Sequence, residues 1–257
     1  MNVLKDVLFT VLRVGARLPH DRASILMYHS VADDPEHFNS VSLQMFARQM
    51  EYLAAKHFDV IRLSELTDRL RERRALSRAV VLTFDDGYQN NFTAAFPILK
   101  RYQFPATVFV VTGRIGSKDT KSGFEYLREN ELRDMEATGL IDIEPHTVSH
   151  PKLAQLSSGS AREEVAASKV VVEKILGKRS RTFAYPYGSY NDATVRLVRE
   201  GGFEAAVTVR EGTVHRESRL FELPRNSIDT STTFTQFRGK VSRAVDRYEY
   251  LKNLLHV

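Results

Sequence analysis

Short apolar runs rich in β-branched and aromatic residues recur along this chain, each separated from the next by a segment patterned for a helix. They are SILMYH (24–29), VVLTF (80–84), ATVFVVT (106–112), IDIEPH (141–146), TFAYP (182–186), EAAVTV (204–209) and FELPR (221–225). Near-continuous apolarity over a short run suits a strand buried on both faces, and helical crossovers between such strands impose parallel pairing. The alternation therefore predicts an α/β fold built on a parallel sheet or barrel.

The helical segments carry their own punctuation. Leu43, Phe46, Met50 and Leu53 form one stripe, Ser160 and Glu163 form a capping box, and Gly201–Gly202 ends the helix that follows Asn191. Residues 233–257 read as one closing helix that covers the barrel, and 1–23 as an N-terminal amphipathic helix, all within a single domain over 1–257. In that first segment Val3, Leu4, Val7, Leu8, Val11 and Leu12 follow helical spacing. The stripe is expected to pack on the domain, with membrane-surface contact as the alternative.

Composition narrows the chemistry. The chain has no cysteine, which excludes disulfides, thiolate metal sites and a cysteine nucleophile, so any metal must be held by histidine and carboxylate. The net charge is +5, but the densest basic cluster, RLRERR at 69–74, is interrupted by Glu72 and reads as a solvated helix face; no nucleic-acid partner is expected. No apolar run approaches the roughly 18 residues of a membrane span. Lys5, Asp6 and Arg13 break the N-terminal apolar run, so a cytoplasmic or membrane-surface location is expected ahead of secretion.

Parallel α/β folds place their chemistry at the C-terminal ends of strands. Just past such ends stand His29, the pair Asp85–Asp86, His146, Tyr187 and Arg225. Successive strand residues point to opposite sides, so Asp85 and Asp86 are expected to have different roles, and Gly87 permits a sharp turn after them. His146 and His150, in EPHTVSHP, share one face if they span a helical turn. With a carboxylate they could bind one cation and leave positions open, as catalytic metal sites do. His20, His37 and His57 read as solvated or packing groups, and His256 as a residue of the last helix. His215 is a weaker candidate for the site.

In this order TFDDGY, HTVSH and FAYPYG resemble the first three motifs of the polysaccharide deacetylases, metal-dependent enzymes that remove acetyl groups from glycans. The resemblance runs from MYHSV to LPRNSI and implies a distorted (β/α) barrel of about seven parallel strands. It implies that Asp86, His146 and His150 hold one divalent ion, zinc first, with cobalt or nickel as alternatives, and that Asp85 is the base. Pro186, Tyr187 and Gly188 would form the oxyanion and substrate-binding turn. Ala184 stands where many members carry an arginine, and no late Leu-x-His motif is found. MYHSV and LPR are similar to the branch acting on poly-N-acetylglucosamine, which implies His29 as general acid, ahead of His215, and Arg225 in place of the missing arginine. Hydrolysis of a non-sugar amide or an O-acetyl ester is the alternative, and a non-catalytic glycan-binding role a lesser one.

Overall fold

A computed structural model describes residues 2–15, 21–33, 37–119 and 123–255, so the expectations for His20 and His256 lie outside the described residues. Its centre is a run of parallel strands: β1 (Arg22–Tyr28), with β2 (Ser30–Val31) and β3 (Ser40–Val41) paired beyond its end, then β4 (Asp59–Ile61), β5 (Ala79–Phe84), β6 (Ala106–Val110) and β7 (Ile141–Pro145). β1, β5, β6 and β7 lie side by side in that order, with β4 along the first half of β5. Two further parallel strands, β8 (Thr182–Ala184) and β9 (Ala205–Val207), form a separate pair. β10 (Val214–His215) runs antiparallel to the start of β1, and β11 (Asn226–Ser227) parallel to its later part. With β10 and β11 the main sheet has seven strands.

The barrel is distorted at the seam between β7 and β8, where a side chain replaces the backbone ladder. The buried Glu144 of β7 accepts the backbone N–H groups of Arg181 (3.0 Å) and Thr182 (3.2 Å) at the start of β8. Burial raises the Glu144 carboxyl to about 8 against the lowering effect of those two bonds.

Six of the seven expected strands form; β1 and β5 begin earlier than expected, at Arg22 and Ala79, and β6 to β9 are shorter than expected. FELPR does not: Leu223 makes one bridge to Val207, and Pro224, which has no N–H, cannot extend it. The expected capping box also shifts by one turn. After α4 (Phe96–Tyr102) and α5 (Glu129–Ala137), and ahead of α7 (Asp192–Glu200), α6 (Ser158–Leu176) is capped by Ser157, whose hydroxyl accepts from the Ser160 N–H. The closing helix is two, α8 (Phe234–Lys240) and α9 (Ala244–Leu255), separated at 241–243.

Strand alternation sorts the core into two layers. Val80, Leu82 and Phe84 of β5 pack outward with Phe46, Met50 and Leu53 of α2 (Leu43–Ala55), whereas Ala79 and Val81 join Ile25, Phe109, Ala184 and Val207 in a second cluster. The α3 helix (Leu63–Arg71) adds Leu63, Leu66 and Leu70 to that second layer. Its basic cluster is ion-paired, Arg69 to Asp59 and Glu65, and Arg71 to Glu204. The alternation that buries Val81 continues through Thr83 to Asp85, and the one that buries Ile25 continues to His29. Both polar residues thus emerge at the C-terminal ends of their strands on the side of the inner layer.

Candidate active site

At that end a cleft of about 230 Å³ is lined by His29, Asn39, Asp85, Asp86, Tyr88, Arg114, His146, His150, Tyr187 and Val209. Asp85 and Asp86 share it, contrary to the expectation of opposite sides. Asp86 leaves the strand in the left-handed region, with φ 71°, and Gly87 follows at φ 74°. The turn lies against β6: a Cβ on Gly87 would stand 2.9 Å from Val110 Cγ1, so only glycine fits there.

The two histidines are brought together by a loop and not by a helical turn. Thr147 and His150 both have positive φ, 68° and 64°, and the segment has no helical residues. Glu164 in α6 fixes it from behind, its Oε2 accepting the N–H groups of Val148 (2.8 Å) and Ser149 (2.9 Å) and its Oε1 the Ser149 hydroxyl (2.6 Å). Sequence reasoning missed Glu164, because nothing local marks a glutamate in the second turn of a helix as a loop clamp.

His146 Nε2 and His150 Nε2 come within 3.1 Å of each other, and lie 3.9 and 3.3 Å from Asp86 Oδ1. His146 donates through Nδ1 to the Ala184 carbonyl (2.8 Å), which leaves the Nε2 lone pair facing the cleft. Burial lowers both imidazoles: His146 falls despite Asp85 and Asp86, and His150 reaches about 4 with His146 adding to the effect. Both are therefore neutral at pH 7. Asp86 Oδ1 is buried with no hydrogen-bond donor among the described residues. Two imidazole lone pairs and a bare carboxylate oxygen, all within 4.8 Å of one another, fit one divalent cation. Tyr88, the last residue of TFDDGY, is hydrogen-bonded to the same carboxylate, and burial together with that charge pushes its phenol up.

Asp85 has a different partner. Both its oxygens accept from Arg225, Nη1 to Oδ1 and Nη2 to Oδ2, each at 2.6 Å. Arg225 is fully buried and also donates to Thr83 Oγ1 (3.1 Å) and the Thr208 carbonyl (2.9 Å). Burial alone would raise the Asp85 carboxyl, but the guanidinium, with His146 and His29, holds it well below the usual carboxylate range. At Ala184, which has no guanidinium to offer, the carbonyl orients His146, and the buried Arg225, from the segment ahead of β11, reaches Asp85.

Tyr187 sits at φ 57° between buried Pro186 and Gly188, and its half-exposed ring lies 4.5 Å from that of His150. Gly188 is at φ 61°, and a Cβ there would run into the side chain of Val209. His29 opens into the cleft, while its carbonyl is fixed by Asn91 Nδ2 (2.7 Å). His215 does not reach this cleft. It pairs with Arg22 at the start of β1, the opposite end of the strand, and its ring meets Glu217 at 3.0 Å.

The polysaccharide deacetylase family model matches residues 72–206, which span both acidic and histidine motifs and just over half of the chain. The chain belongs to the polysaccharide deacetylase family. Among curated relatives, this deacetylase is 29% identical over 225 residues to the putative polysaccharide deacetylase YxkH of Bacillus subtilis, covering 86% of this chain and 75% of that one. It is 30% identical over 194 residues to the poly-β-1,6-N-acetyl-D-glucosamine N-deacetylase of Staphylococcus epidermidis, covering 72% and 67%. Among solved structures it superposes on the Streptococcus pyogenes deacetylase PplD in complex with acetate, with TM-score 0.77, 27% identity and coverage of 86% and 98%. It also superposes on IcaB from Ammonifex degensii, with TM-score 0.76, 26% identity and coverage of 88% and 97%.

Proposed function

We propose that this polysaccharide deacetylase removes N-acetyl groups from a β-1,6-linked N-acetylglucosamine polymer. The observation that carries the reading is that one cleft holds an Asp86–His146–His150 set together with a second aspartate, Asp85, kept out of that set by Arg225. The named substrate of the S. epidermidis relative supports the choice of glycan.

The ion proposed for the set is zinc, with cobalt or nickel able to replace it, because two imidazole nitrogens and one carboxylate oxygen with open positions suit borderline divalent ions. When bound, such an ion supplies Lewis acidity toward the acetyl carbonyl and the attacking water. The residues around it divide the remaining work. Asp85 is ionised across the neutral range and accepts the proton of the attacking water, and Arg225 fixes the direction of its oxygens. The backbone N–H of Tyr187, turned by the left-handed Tyr187–Gly188 pair, donates to the carbonyl oxygen as negative charge develops on it. His29 delivers a proton to the departing sugar nitrogen, which is a poor leaving group without one.

The test is a comparison of substrates on purified protein supplied with zinc, cobalt or nickel. β-1,6-linked N-acetylglucosamine oligomers, an O-acetylated glycan and a small aliphatic acetamide are assayed for released acetate. The oligomers should give the highest kcat/KM, with stoichiometric free amine. A higher kcat/KM on the ester or the small amide would replace the glycan N-deacetylase reading with the corresponding one.

A further inference from the structure

The N-terminal helix α1 (Asn2–Leu12) is shorter than the expected 1–23, since Arg22 and Ala23 belong to β1, and it buries only part of the expected stripe: Leu8 and Leu12 are half-buried, Leu12 against Phe9 and Ala244, while Val3, Leu4, Val7 and Val11 are not. Its inward residue is Phe9, which is fully buried, stacks on Tyr248 of α9 at 4.9 Å and clusters with Ala244. At about 100° per residue, Val3, Leu4, Val7 and Val11 occupy a single arc nearly opposite Phe9. That arc faces solvent: the four are 78%, 77%, 56% and 62% exposed, and Val14 beyond the helix is 78% exposed. An amphipathic helix that turns its apolar arc outward has a binding face, since contiguous exposed aliphatic stripes mark interaction surfaces.

The surrounding charge selects the occupant. The exposed Arg247 guanidinium sits at the carbonyls of Leu12 and Val14 and Arg243 is exposed beside Ala244, whereas Lys5 lies on the inward side, 5.5 Å from the Tyr248 ring. The neighbouring acids are already neutralised or bound. Asp6 accepts from Thr233 (2.6 Å) and Gln236 (2.8 Å), and Asp246 from Arg22 (3.3 Å) and Thr213 (2.7 Å). We propose that the outward face of α1 docks on an anionic lipid surface, with Val3, Leu4, Val7 and Val11 entering the headgroup layer and the exposed Arg243 and Arg247 meeting lipid phosphate. The helix rests on α8 and α9, and the end of α8 meets the start of β1, where Ser24 Oγ donates to the Lys240 carbonyl (2.7 Å). The catalytic cleft lies past the other end of β1, at His29. Docking through α1 therefore leaves the cleft open to a polymer.

Co-flotation of the full chain with phosphatidylglycerol vesicles, and with phosphatidylcholine vesicles as the neutral comparison, tests this. Binding should favour phosphatidylglycerol, weaken as salt rises, and fall roughly tenfold or more in partition coefficient for L4Q/V7Q, whose exposed positions leave the thermal midpoint unchanged. Wild-type protein that fails to float with phosphatidylglycerol overturns the proposal. So does a lipid-free dimer that L4Q/V7Q converts to monomer, which would make a second copy of the chain the occupant.

Discussion

Replacing Arg225 by methionine probes the centre of the site without touching a metal ligand. The substitution removes both 2.6 Å bonds to Asp85 and leaves that carboxylate, 3% exposed, without a cation. Taking one partner from a buried ion pair typically costs about 3–5 kcal/mol. A second estimate comes from the escape route open to Asp85, which can take up a proton. From an unfolded value near 3.9, protonation at pH 7 costs about 4 kcal/mol, so the two estimates agree. The sign of the pH dependence follows. In the wild type the folded Asp85 value is depressed, so the pair contributes stability above the unfolded value and loses it as pH falls. In R225M burial raises the folded value instead, so stability is lost as pH rises from about 4 toward 7. Urea unfolding of both proteins with chelator present should give a gap of about 3–5 kcal/mol at pH 8 that narrows by pH 5. In the assay R225M should retain stoichiometric metal, with kcat lower by roughly 100-fold or more and KM little changed, because Asp85 has lost its orientation and, once protonated, can no longer accept a proton. R225K should recover part of the stability and little of the rate, since an ammonium cannot hold both oxygens. A gap below about 1 kcal/mol at pH 8, or one equal at both pH values, would refute the account of the pair.

Other perturbations separate the remaining roles. Alanine at Asp86, His146 or His150 should weaken zinc binding by at least about 100-fold in titration calorimetry while circular dichroism stays native; stoichiometric metal in H146A/H150A would disprove the ligand set. H29A should keep its metal and lose about 100-fold or more of kcat on N-acetyl substrates but less on an O-acetyl ester, whose leaving group needs less protonation; equal losses on both would remove His29 as the acid. E164A should free the 147–150 loop and weaken zinc binding by about 10- to 100-fold without loss of fold; unchanged affinity would show that the loop holds itself. Glu144 titrates near 8 when folded, so the unfolded chain ionises first and stability falls as pH rises from about 4.5 to 8, by up to about 5 kcal/mol. E144Q should lack that decline in thermal midpoint, and parallel curves for E144Q and wild type would count against the buried acid.

The order and type of the central elements were legible because burial on both faces leaves a compositional mark. VVLTF and ATVFV can be little else than inner strands once helices flank them, and β5 and β6 lie where those runs predict. The elements that were misread depend on partners distant in sequence. FELPR is apolar enough for a strand, but its place beside β9 allows one bridge before Pro224. The stripe of α1 has the periodicity of a packing face, and periodicity alone cannot say which arc meets the protein. Phe9, a single aromatic opposite four aliphatics, decides it through Tyr248 and Ala244.

In the site the identities were legible and the geometry was not, and one physical cause accounts for both. A cation site needs its donors to converge, and convergence here is produced by backbone conformations that no side chain announces: Asp86, Thr147, His150 and Tyr187 all have positive φ without being glycine. Each such residue is held at a cost of order 1–3 kcal/mol, so each needs a neighbour that over-determines it. Those neighbours are visible: Val110 against the turn at Gly87, Glu164 on the 148–149 amides, Val209 against Gly188, and Tyr88 on the Asp86 carboxylate. Motif spacing recorded the residues being held. Apart from Tyr88, which lies within TFDDGY, the residues that hold them are scattered over β6, α6 and the segment after β9, and only the fold brings them to the same cleft.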